Sequence, residues 1–356
     1  MHLSEIPKRY HFTGEVLSGG QGDVYVCEDG QLGRLVAVKS MASPSAVVDI
    51  LNEVTSLGAV RSKHVVQIYD ILFASMGTVL AIVLEYVPGP DLTEYKAPDH
   101  PLSDTLRLLY QIACGISDLH ACGKIHRDIK PNNMKLDPDK VLKIFDFGLC
   151  KDAGDAAITS KARGTQGYRA PELYAKLPVK YTTAVDVYAF GVLSWHLLVG
   201  EVPDVLLEFP PQSTGAAPAI GGAVSQFPPE LGALFDACLS PDPAQRPAMT
   251  DVRDAVARRL LFGRHRAHLS SPDRSYLIAE MNQPTRIRAG DSSITIYYDG
   301  LRFIIAAVEG DVYINNHRAE SGANLPDSCV ITIGGQELGA RRVFVAFDIS
   351  HQEVVL

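Results

Sequence analysis

The chain has 356 residues, 46% of them hydrophobic, which is enough for two domains with apolar cores. Its 33 lysine and arginine residues stand against 41 aspartate and glutamate residues, a net charge of −8. Because the balance is acidic and no long basic run occurs, the composition argues against nucleic acid or an anionic membrane as the main partner.

Residues 9–96 carry short runs with strand character, and residues 46–60 interrupt them with one helical period of apolar positions. Helical periods dominate residues 103–261, where loops rich in Gly, Pro and Asp separate them. Within this part, residues 210–229 have few large apolar side chains and are predicted to form an extended surface loop. The sequence therefore predicts a sheet with one helix, followed by a mainly helical part.

The composition changes again after residue 262. Residues 263–274 are polar and basic and are predicted to be a linker, and residues 275–356 show only strand patterns with Gly, Asn and Asp turns between them. The predicted fold class is α+β for residues 9–262, followed by a small all-β sandwich.

Other sequence signals concern location and cysteine chemistry. No apolar run is long enough for a membrane span and the first residues lack a signal-peptide pattern, so we expect a cytoplasmic protein. The six cysteines contain no CxxC pair, which disfavours a zinc site or a disulfide framework.

The stretch KIHRDIKPNNMKL brings a carboxylate, an ammonium and an amide together at Asp128, Lys130 and Asn133. Transfer of a phosphoryl group to a hydroxyl needs a carboxylate beside that hydroxyl, a cation over the phosphate and oxygen ligands for Mg²⁺. Asp128 is the predicted proton acceptor, Lys130 the cation and Asn133 a metal ligand. Downstream, KIFDFGLC offers Asp146 as a second metal ligand.

These two motifs, together with LSGGQGDVYV, VAVK, DILNEV, RAPE, DVYAFGVL and CLSPDPAQRP in that order, resemble the eukaryotic-type protein kinases over residues 9–262. The resemblance implies a bilobal fold, with an N-terminal lobe at 9–87 and a C-terminal lobe at 88–262. It implies that Lys39 grips the α- and β-phosphates of ATP and that Glu53 pairs with Lys39. It also implies a buried Glu172–Arg246 ion pair.

Further roles follow from the same resemblance. Asp186 is expected to hold the catalytic loop from below, and Lys130 with Thr165 matches the serine/threonine branch of the family. The loop NMKLDPDK is similar to that of bacterial serine/threonine kinases, which favours a bacterial source. ATP and Mg²⁺ are the implied cofactors, with Mn²⁺ as an alternative to Mg²⁺.

The implied nucleotide site departs from the family pattern at two places. Leu17 stands at the first glycine position of the Gly-rich loop and Gln21 at its tip, so we expect weakened ATP binding. Lys135 stands where many kinases place a leucine under the adenine, and we expect its stem to cover the ring while its ammonium reaches water. The full predicted set of nucleotide-binding residues is Leu17, Gly19, Gly20, Gly22, Val24, Ala37, Lys39, Glu85, Val87, Asp91 and Lys135.

Regulation is predicted for the segment that follows Asp146. Arg127 is expected to be a buried cation, and phosphorylation of Thr159 or Ser160 would give it an anion and order the segment. Thr165 is a further hydroxyl of this segment. Thr and Ser are common in exposed loops, so an unmodified loop is the alternative.

The end of the chain, GDVYINNHRAESGANLPDSCVITIGG, resembles a forkhead-associated domain over about the last fifty residues. Arg286 and Arg288 could supply a cation for phosphothreonine, but residues 298–309 contain no Ser or His, and Gly310 has no side chain to hold a peptide. We therefore expect a structural or partner-docking β domain.

The sequence as a whole predicts an ATP-dependent protein serine/threonine kinase that acts on protein substrates, itself included. The alternative is a kinase-like scaffold that works by docking partners through its C-terminal domain.

Overall fold

The computed structural model describes residues 6–19, 22–40, 54–55, 57–73, 79–95, 99–152, 158–159, 165–175, 179–272 and 274–350. The chain divides into two units, with the boundary between Val256 and Ala257, and each is described by itself. Across these described ranges, no helix has both the length and the apolar character that a membrane crossing requires.

The first unit begins with an antiparallel sheet. Its strands, among the described residues, lie in the order β1-β2-β3-β5-β4. Alternate side chains of these strands, such as Cys27, Val36, Val38 and Val83, form a buried core on one face because side chains along a strand point to opposite sides. The strands are β1 Tyr10–Gly19, β2 Gly22–Asp29, β3 Arg34–Ser40, β4 Ile68–Phe73 and β5 Val79–Glu85.

The helical period predicted at 46–60 is described only in part. Residues 54–55 and 57–59 are helical, and Glu53 lies outside the described residues. Strand β4 is not among the strand-like runs predicted within residues 9–96. Its Tyr69 and Asp70 interrupt the apolar pattern that identifies the other strands.

Helices build the rest of the first unit. In α1 the apolar residues recur every three or four positions and are buried, as in an amphipathic helix. By contrast, α2 is buried on nearly all sides, and it packs against α1 and α5. Both helices end at a glycine with positive φ, Gly123 at 68° and Gly200 at 87°, a common helix ending. The helices are α1 Leu102–Ala121, α2 Ala184–Val199, α3 Asp204–Leu207, α4 Ile220–Ala223, α5 Pro229–Cys238 and α6 Met249–Leu261.

Short strand pairs lie between α1 and α2 and carry the functional loops. They are antiparallel and pair β6 with β9, β7 with β8, and β10 with β11. Residues 210–229, predicted as an extended loop, contain the four-residue helix α4 but otherwise little regular structure. The strands are β6 Lys124–Ile125, β7 Met134–Leu136, β8 Leu142–Ile144, β9 Lys151–Asp152, β10 Ile158–Thr159 and β11 Val179–Lys180.

The second unit contains two antiparallel sheets. In the part of this unit that the structure describes, one sheet has the strand order β13-β12-β20-β19-β17-β18 and the other the order β14-β15-β16. Side chains from both sheets share a buried core that includes Ile294, Tyr298, Phe303 and Phe347. The strands are β12 Ala267–Ser270, β13 Ser275–Ile278, β14 Thr285–Ala289, β15 Ser292–Tyr298, β16 Phe303–Glu309, β17 Val312–Ile314, β18 His317–Arg318, β19 Ser328–Ile333 and β20 Val343–Ile349.

The β architecture predicted for this unit is therefore present, but the predicted linker at 263–274 is not a free connection. Strand β12 lies within it and pairs with β13 on one side and β20 on the other. Ala267 and Leu269 of β12 are buried while His268 and Ser270 are exposed. The sequence indicates a linker because the exposed positions of this segment are basic or polar. Ala267 and Leu269, between those positions, belong to the hydrophobic core of the second unit.

Candidate active site

The loop after β6 is held from below by a buried carboxylate on α2. Asp186 accepts hydrogen bonds from the backbone N–H groups of His126 and Arg127, both at 2.8 Å, and it contacts His120 Nε2 at 3.0 Å. Burial would raise the pKa of Asp186, but the interactions with His120 and the other donors outweigh it and the net shift is downward. The predicted role of Asp186 is confirmed.

The same anchoring explains a strained backbone. Arg127 has a φ of 69°, in the left-handed region that a residue with a Cβ rarely adopts. The Asp186 contacts fix this conformation, which turns the chain so that Asp128 follows on a short turn ending at Asn133. Asp146 has a φ of 66°. The strain lies at two of the sequence-predicted functional positions.

Asp128 is the centre of a polar network. Its carboxylate accepts hydrogen bonds from the hydroxyl of Thr165 at 2.7 Å and from Asn133 Nδ2 at 3.0 Å, and it pairs with Lys130 Nζ at 2.8 Å. Burial raises the pKa of this carboxyl, but the hydrogen bonds from Lys130 and Thr165 outweigh it, so the pKa lies below its ordinary value. An ionised carboxylate with fixed orientation results.

Thr165 belongs to the same polar network, and its predicted regulatory role stays a prediction. Its hydroxyl accepts from Lys130 Nζ at 2.5 Å and donates to Asp128. The Thr165 N–H also points to Asp128, at 3.2 Å. The sequence had placed Thr165 among the regulatory hydroxyls, whereas the structure shows it bridging the predicted base and the predicted phosphoryl-binding lysine.

Lys39 of β3 reaches the loop after β8. Its Nζ lies 3.0 Å from Asp146 Oδ1, and the lysine is buried at 7% exposure. Glu53, the predicted partner of Lys39, lies outside the described residues, so that pairing stays a prediction. This ion pair joins strand β3 to the loop that carries Asp146, the predicted metal ligand.

Asn133 and Asp146 offer the oxygen donors that Mg²⁺ prefers. Asn133 uses its Nδ2 to donate to Asp128, so its Oδ1 faces away from those bonds and has no partner among the described residues. Oδ2 of Asp146 likewise has none in the described part of the chain, since Oδ1 takes the contact with Lys39. The donor set therefore fits a hard divalent cation.

Residues 85–87, the hinge of the nucleotide site that the family resemblance implies, contact two lysines of the β7–β8 hairpin. Lys143 Nζ lies 2.7 Å from Glu85 Oε1, and Glu85 Oε2 accepts from the Gln67 N–H at 3.1 Å. Lys135 donates to the Val87 carbonyl at 3.4 Å. The sequence does not predict a role for Lys143, which is the one polar residue of the short strand β8. No local pattern indicates that its side chain reaches Glu85.

The remaining predicted nucleotide residues lie on the sheet or next to the hinge. Ala37 is buried and lies opposite Leu84 of β5, and Val24 lies opposite Lys39. Leu17 is exposed on β1, and Asp91 caps a short turn by accepting from the Thr93 N–H at 2.9 Å. The described glycines of the loop are Gly19 and Gly22, which pair across the β1–β2 hairpin, and Gly20 lies outside the described residues.

Arg127 is the buried cation that the sequence predicted. It is 7% exposed, its guanidinium lies 3.9 Å from the Tyr181 ring, and Nε and Nη2 are buried with no hydrogen-bond partner among the described residues. Thr159 lies on β10 opposite Val179, two residues before Tyr181. The side chain of Thr159 and all of Ser160 lie outside the described residues.

The ion pair expected between Glu172 and Arg246 is present. Arg246 Nη1 and Nη2 each contact a Glu172 oxygen at 2.8 Å, and the arginine side chain is fully buried. Bidentate geometry of this kind is the strongest form of such a pair. It connects the short turn Pro171–Tyr174 to the segment that precedes α6.

Comparison with known proteins gives consistent matches. A family model described as the protein kinase domain matches residues 10–256. A probable serine/threonine-protein kinase of Bifidobacterium longum is 32% identical over 210 residues, 56% of this chain and 27% of that protein. A serine/threonine-protein kinase of Corynebacterium efficiens is 33% identical over 245 residues, 64% and 46% of the two chains. One of Myxococcus xanthus is 32% identical over 209 residues, 55% and 25%. The chain thus spans about a quarter to a half of the length of these curated relatives.

Proposed function

The chain belongs to the protein kinase family, and on that premise we propose that it transfers the γ-phosphoryl group of ATP to serine or threonine hydroxyls of proteins, itself included. The observation that carries the proposal is the Asp128 carboxylate, oriented by Lys130, Thr165 and Asn133. The named relatives are described as serine/threonine kinases, which supports the same acceptor.

The geometry supports a specific division of labour. The substrate hydroxyl donates its proton to Asp128 as its oxygen bonds to the γ-phosphorus, while the bond to the β-phosphate breaks and ADP leaves. Lys130, beside Asp128, balances the charge of the moving group. Lys39 would contact the phosphates while its Nζ remains near Asp146 Oδ1, and Asp146 Oδ2 would supply an oxygen to the cation.

Bound Mg²⁺ would neutralise phosphate charge. Asn133 Oδ1 and Asp146 Oδ2 are the oxygens that would hold it, and Mn²⁺ fits the same donors. The buried Asp128 is kept ionised beside them, so this chain supplies the orientation of the acceptor whichever of the two ions is present.

The ordered contacts of Asp128 with Lys130, Asn133 and Thr165 argue against the scaffold alternative. A scaffold that binds nucleotide weakly and does not transfer phosphate would not need an oriented carboxylate. Replacing Asp128 with Asn should keep ATP binding and slow transfer by roughly 10² to 10⁴, the usual contribution of a positioned base. Replacing Asp146 with Asn should also weaken Mg·ATP binding. The measurement is incorporation of radiolabel from ATP by the purified chain, and parental rates in both variants would refute these roles.

Regulation through Arg127 forms part of the proposal. Nε and Nη2 of Arg127 are buried without a hydrogen-bond acceptor among the described residues, which favours a nearby anion. Strand β10 pairs Thr159 with Val179 of β11, two residues before Tyr181, whose ring contacts the Arg127 guanidinium. Phosphate on Thr159 or Ser160 would therefore order the segment. If mass spectrometry of the active chain finds no phosphate there, or if Thr159→Ala with Ser160→Ala is fully active, this regulation does not operate.

The C-terminal unit is proposed to dock a partner protein or the kinase domain. Arg286, one of the two candidate phosphate-binding residues, is already paired with Glu309 and bonded to Ser293 Oγ at 3.2 Å. Arg288 donates to the Gly290 carbonyl at 3.0 Å. The forkhead-associated resemblance and the cytoplasmic location stay predictions.

A further inference from the structure

The predicted floor of the nucleotide cleft carries a cation that is held at the hinge. Lys135 is half-buried, and its ammonium contacts the Val87 carbonyl instead of extending into water as expected from the sequence. Burial lowers the pKa of Lys135, and the carboxylates of Asp91 and Glu15 act against that shift. The ammonium thus lies in a partly dry site with acidic neighbours.

The surrounding backbone fixes the position of this side chain. Lys135 lies opposite Lys143 in the β7–β8 ladder, and an isolated bridge joins the Lys135 backbone to Asp91. Residues opposite each other in a ladder share one face, and both lysines reach the hinge: Lys143 through the Glu85 carboxylate and Lys135 through the Val87 carbonyl. The contact is therefore part of an ordered arrangement.

Val87 has two backbone groups that a purine could use. Its carbonyl accepts from Lys135, whereas no described residue accepts from its N–H. An adenine that takes this N–H at ring atom N1, with its 6-amino group toward Glu85, presents its C2 edge to the Val87 carbonyl. An amino group on C2 would approach the Val87 carbonyl beside the Lys135 ammonium, which is itself a donor and a cation. The two donors would repel each other and compete for one oxygen, and a donor left unpaired in a buried site is costly.

We propose that Lys135 is a specificity-determining residue for the purine base, which holds the Val87 carbonyl and so selects for bases with hydrogen at C2 and against bases with a C2 amino group. The inference rests on the proposed function for the presence of a nucleotide at the hinge. It goes beyond that function because it assigns to the contact between Lys135 and the Val87 carbonyl a role in choosing the purine base.

The test compares the full-length chain with Lys135→Met and Lys135→Leu, which remove the ammonium and keep an apolar stem. Lys140→Met is the matched control, because Lys140 is exposed in the turn of the same hairpin. Calorimetry gives the affinities for ADP and for 2-amino-ADP, and kinase assays give kcat/KM for ATP and 2-amino-ATP. Since binding is measured apart from transfer, a chain that binds nucleotides without phosphorylating would count against the proposed function and leave this test intact.

The wild-type chain and Lys140→Met should disfavour the 2-amino nucleotide by about tenfold or more. Both Lys135 variants should reduce that discrimination by about tenfold, because they free the Val87 carbonyl to accept from the amino group. Wild-type binding of 2-amino-ADP as tight as that of ADP would overturn the inference, whether or not the variants fold. An unchanged ratio in folded Lys135 variants would overturn it as well.

Discussion

Asp128 concentrates more donors on one carboxylate than any sequence pattern could show. Lys130 and Asn133 were expected nearby because they follow it within five residues, but the Thr165 contacts come from a segment 37 positions away. The motif predicts which residue types are present, whereas the fold decides which atoms meet. The lowered pKa of Asp128 follows from its hydrogen bond with Lys130 nearby in the chain and from this long-range contact with Thr165.

The lowered pKa of Asp128 has a consequence for stability. A carboxyl with a folded-state pKa below its unfolded value near 4 adds stability above that value, and the contribution disappears as the pH falls through the folded pKa. The stability difference between the wild-type chain and Asp128→Asn should therefore grow as the pH rises through the lowered folded-state pKa to about 5, and then stay level. Denaturant unfolding across this range measures it, and a difference independent of pH would contradict the assigned shift.

Lys39 gives a second prediction at this scale. Besides its contact with Asp146, Lys39 is predicted to pair with Glu53, which would orient the Lys39 ammonium toward the phosphates. Glu53→Gln should lower kcat/KM for ATP by roughly tenfold or more, equal to about 1.4 kcal/mol of transition-state stabilisation. Glu28→Gln, an exposed change on β2, is the control. Full activity in Glu53→Gln would rule out the pairing.

The elements show where sequence patterns work and where they fail. Strands β1, β2 and β15 coincide with the runs YHFTGEVLSG, GDVYVCED and SSITIYY, which the sequence predicts to be strands. These runs are recognisable because their alternating or apolar patterns lie between turn residues. Strand β12 was missed because its exposed positions carry a histidine and a serine beside a basic stretch. Its strand character comes from pairing with β20, some 80 residues later in the chain, and no local pattern contains that information.

The Glu172–Arg246 ion pair joins two short segments, Pro171–Tyr174 and the turn Pro243–Gln245 before Arg246, which bury few apolar side chains. Arg246→Met should destabilise the first unit by about 3 kcal/mol, because it leaves the Glu172 carboxylate without its buried partner. The double variant with Glu172→Gln should be less destabilised, since no uncompensated charge then remains. Thermal and denaturant unfolding of the full chain, followed by probes of the first unit, measure both.

Arg253→Met is the matched control for this prediction. Arg253 also pairs with a carboxylate, Asp254 at 2.8 Å, but these side chains are 33% and 59% exposed, whereas the Arg246 side chain is fully buried. Exposed pairs of this kind contribute about 0 to 1 kcal/mol. If Arg246→Met and Arg253→Met had equal effects, the buried pair would not hold the segments together.

At the scale of the whole molecule, the chain joins a unit in which Asp128, Lys130, Asn133 and Thr165 form one polar network to a β unit in which Arg286, a candidate phosphate-binding residue, already pairs with Glu309. Gly310 has a φ of 69°, and a Cβ there would lie 2.5 Å from Ser292 Oγ, so this position accepts no side chain that might hold a peptide. The sequence predicts weak phosphothreonine binding by this unit, and that stays a prediction. It could not show the Arg286–Glu309 pair, which forms between β14 and β16.

The full chain should therefore bind phosphothreonine peptides no better than their unphosphorylated forms through this unit. A phosphate reaching Arg286 would meet an exposed guanidinium that already pairs with Glu309, and because exposed ion pairs contribute only about 0 to 1 kcal/mol, one such contact gives the peptide little affinity. Calorimetry of the full chain against a phosphothreonine peptide library tests this, with Glu309→Gln as the variant that frees the arginine. Weak binding that appears only in Glu309→Gln is the expected result. Micromolar binding to the unmodified chain that is abolished by Arg286→Met would instead make this unit a reader of phosphorylated partners.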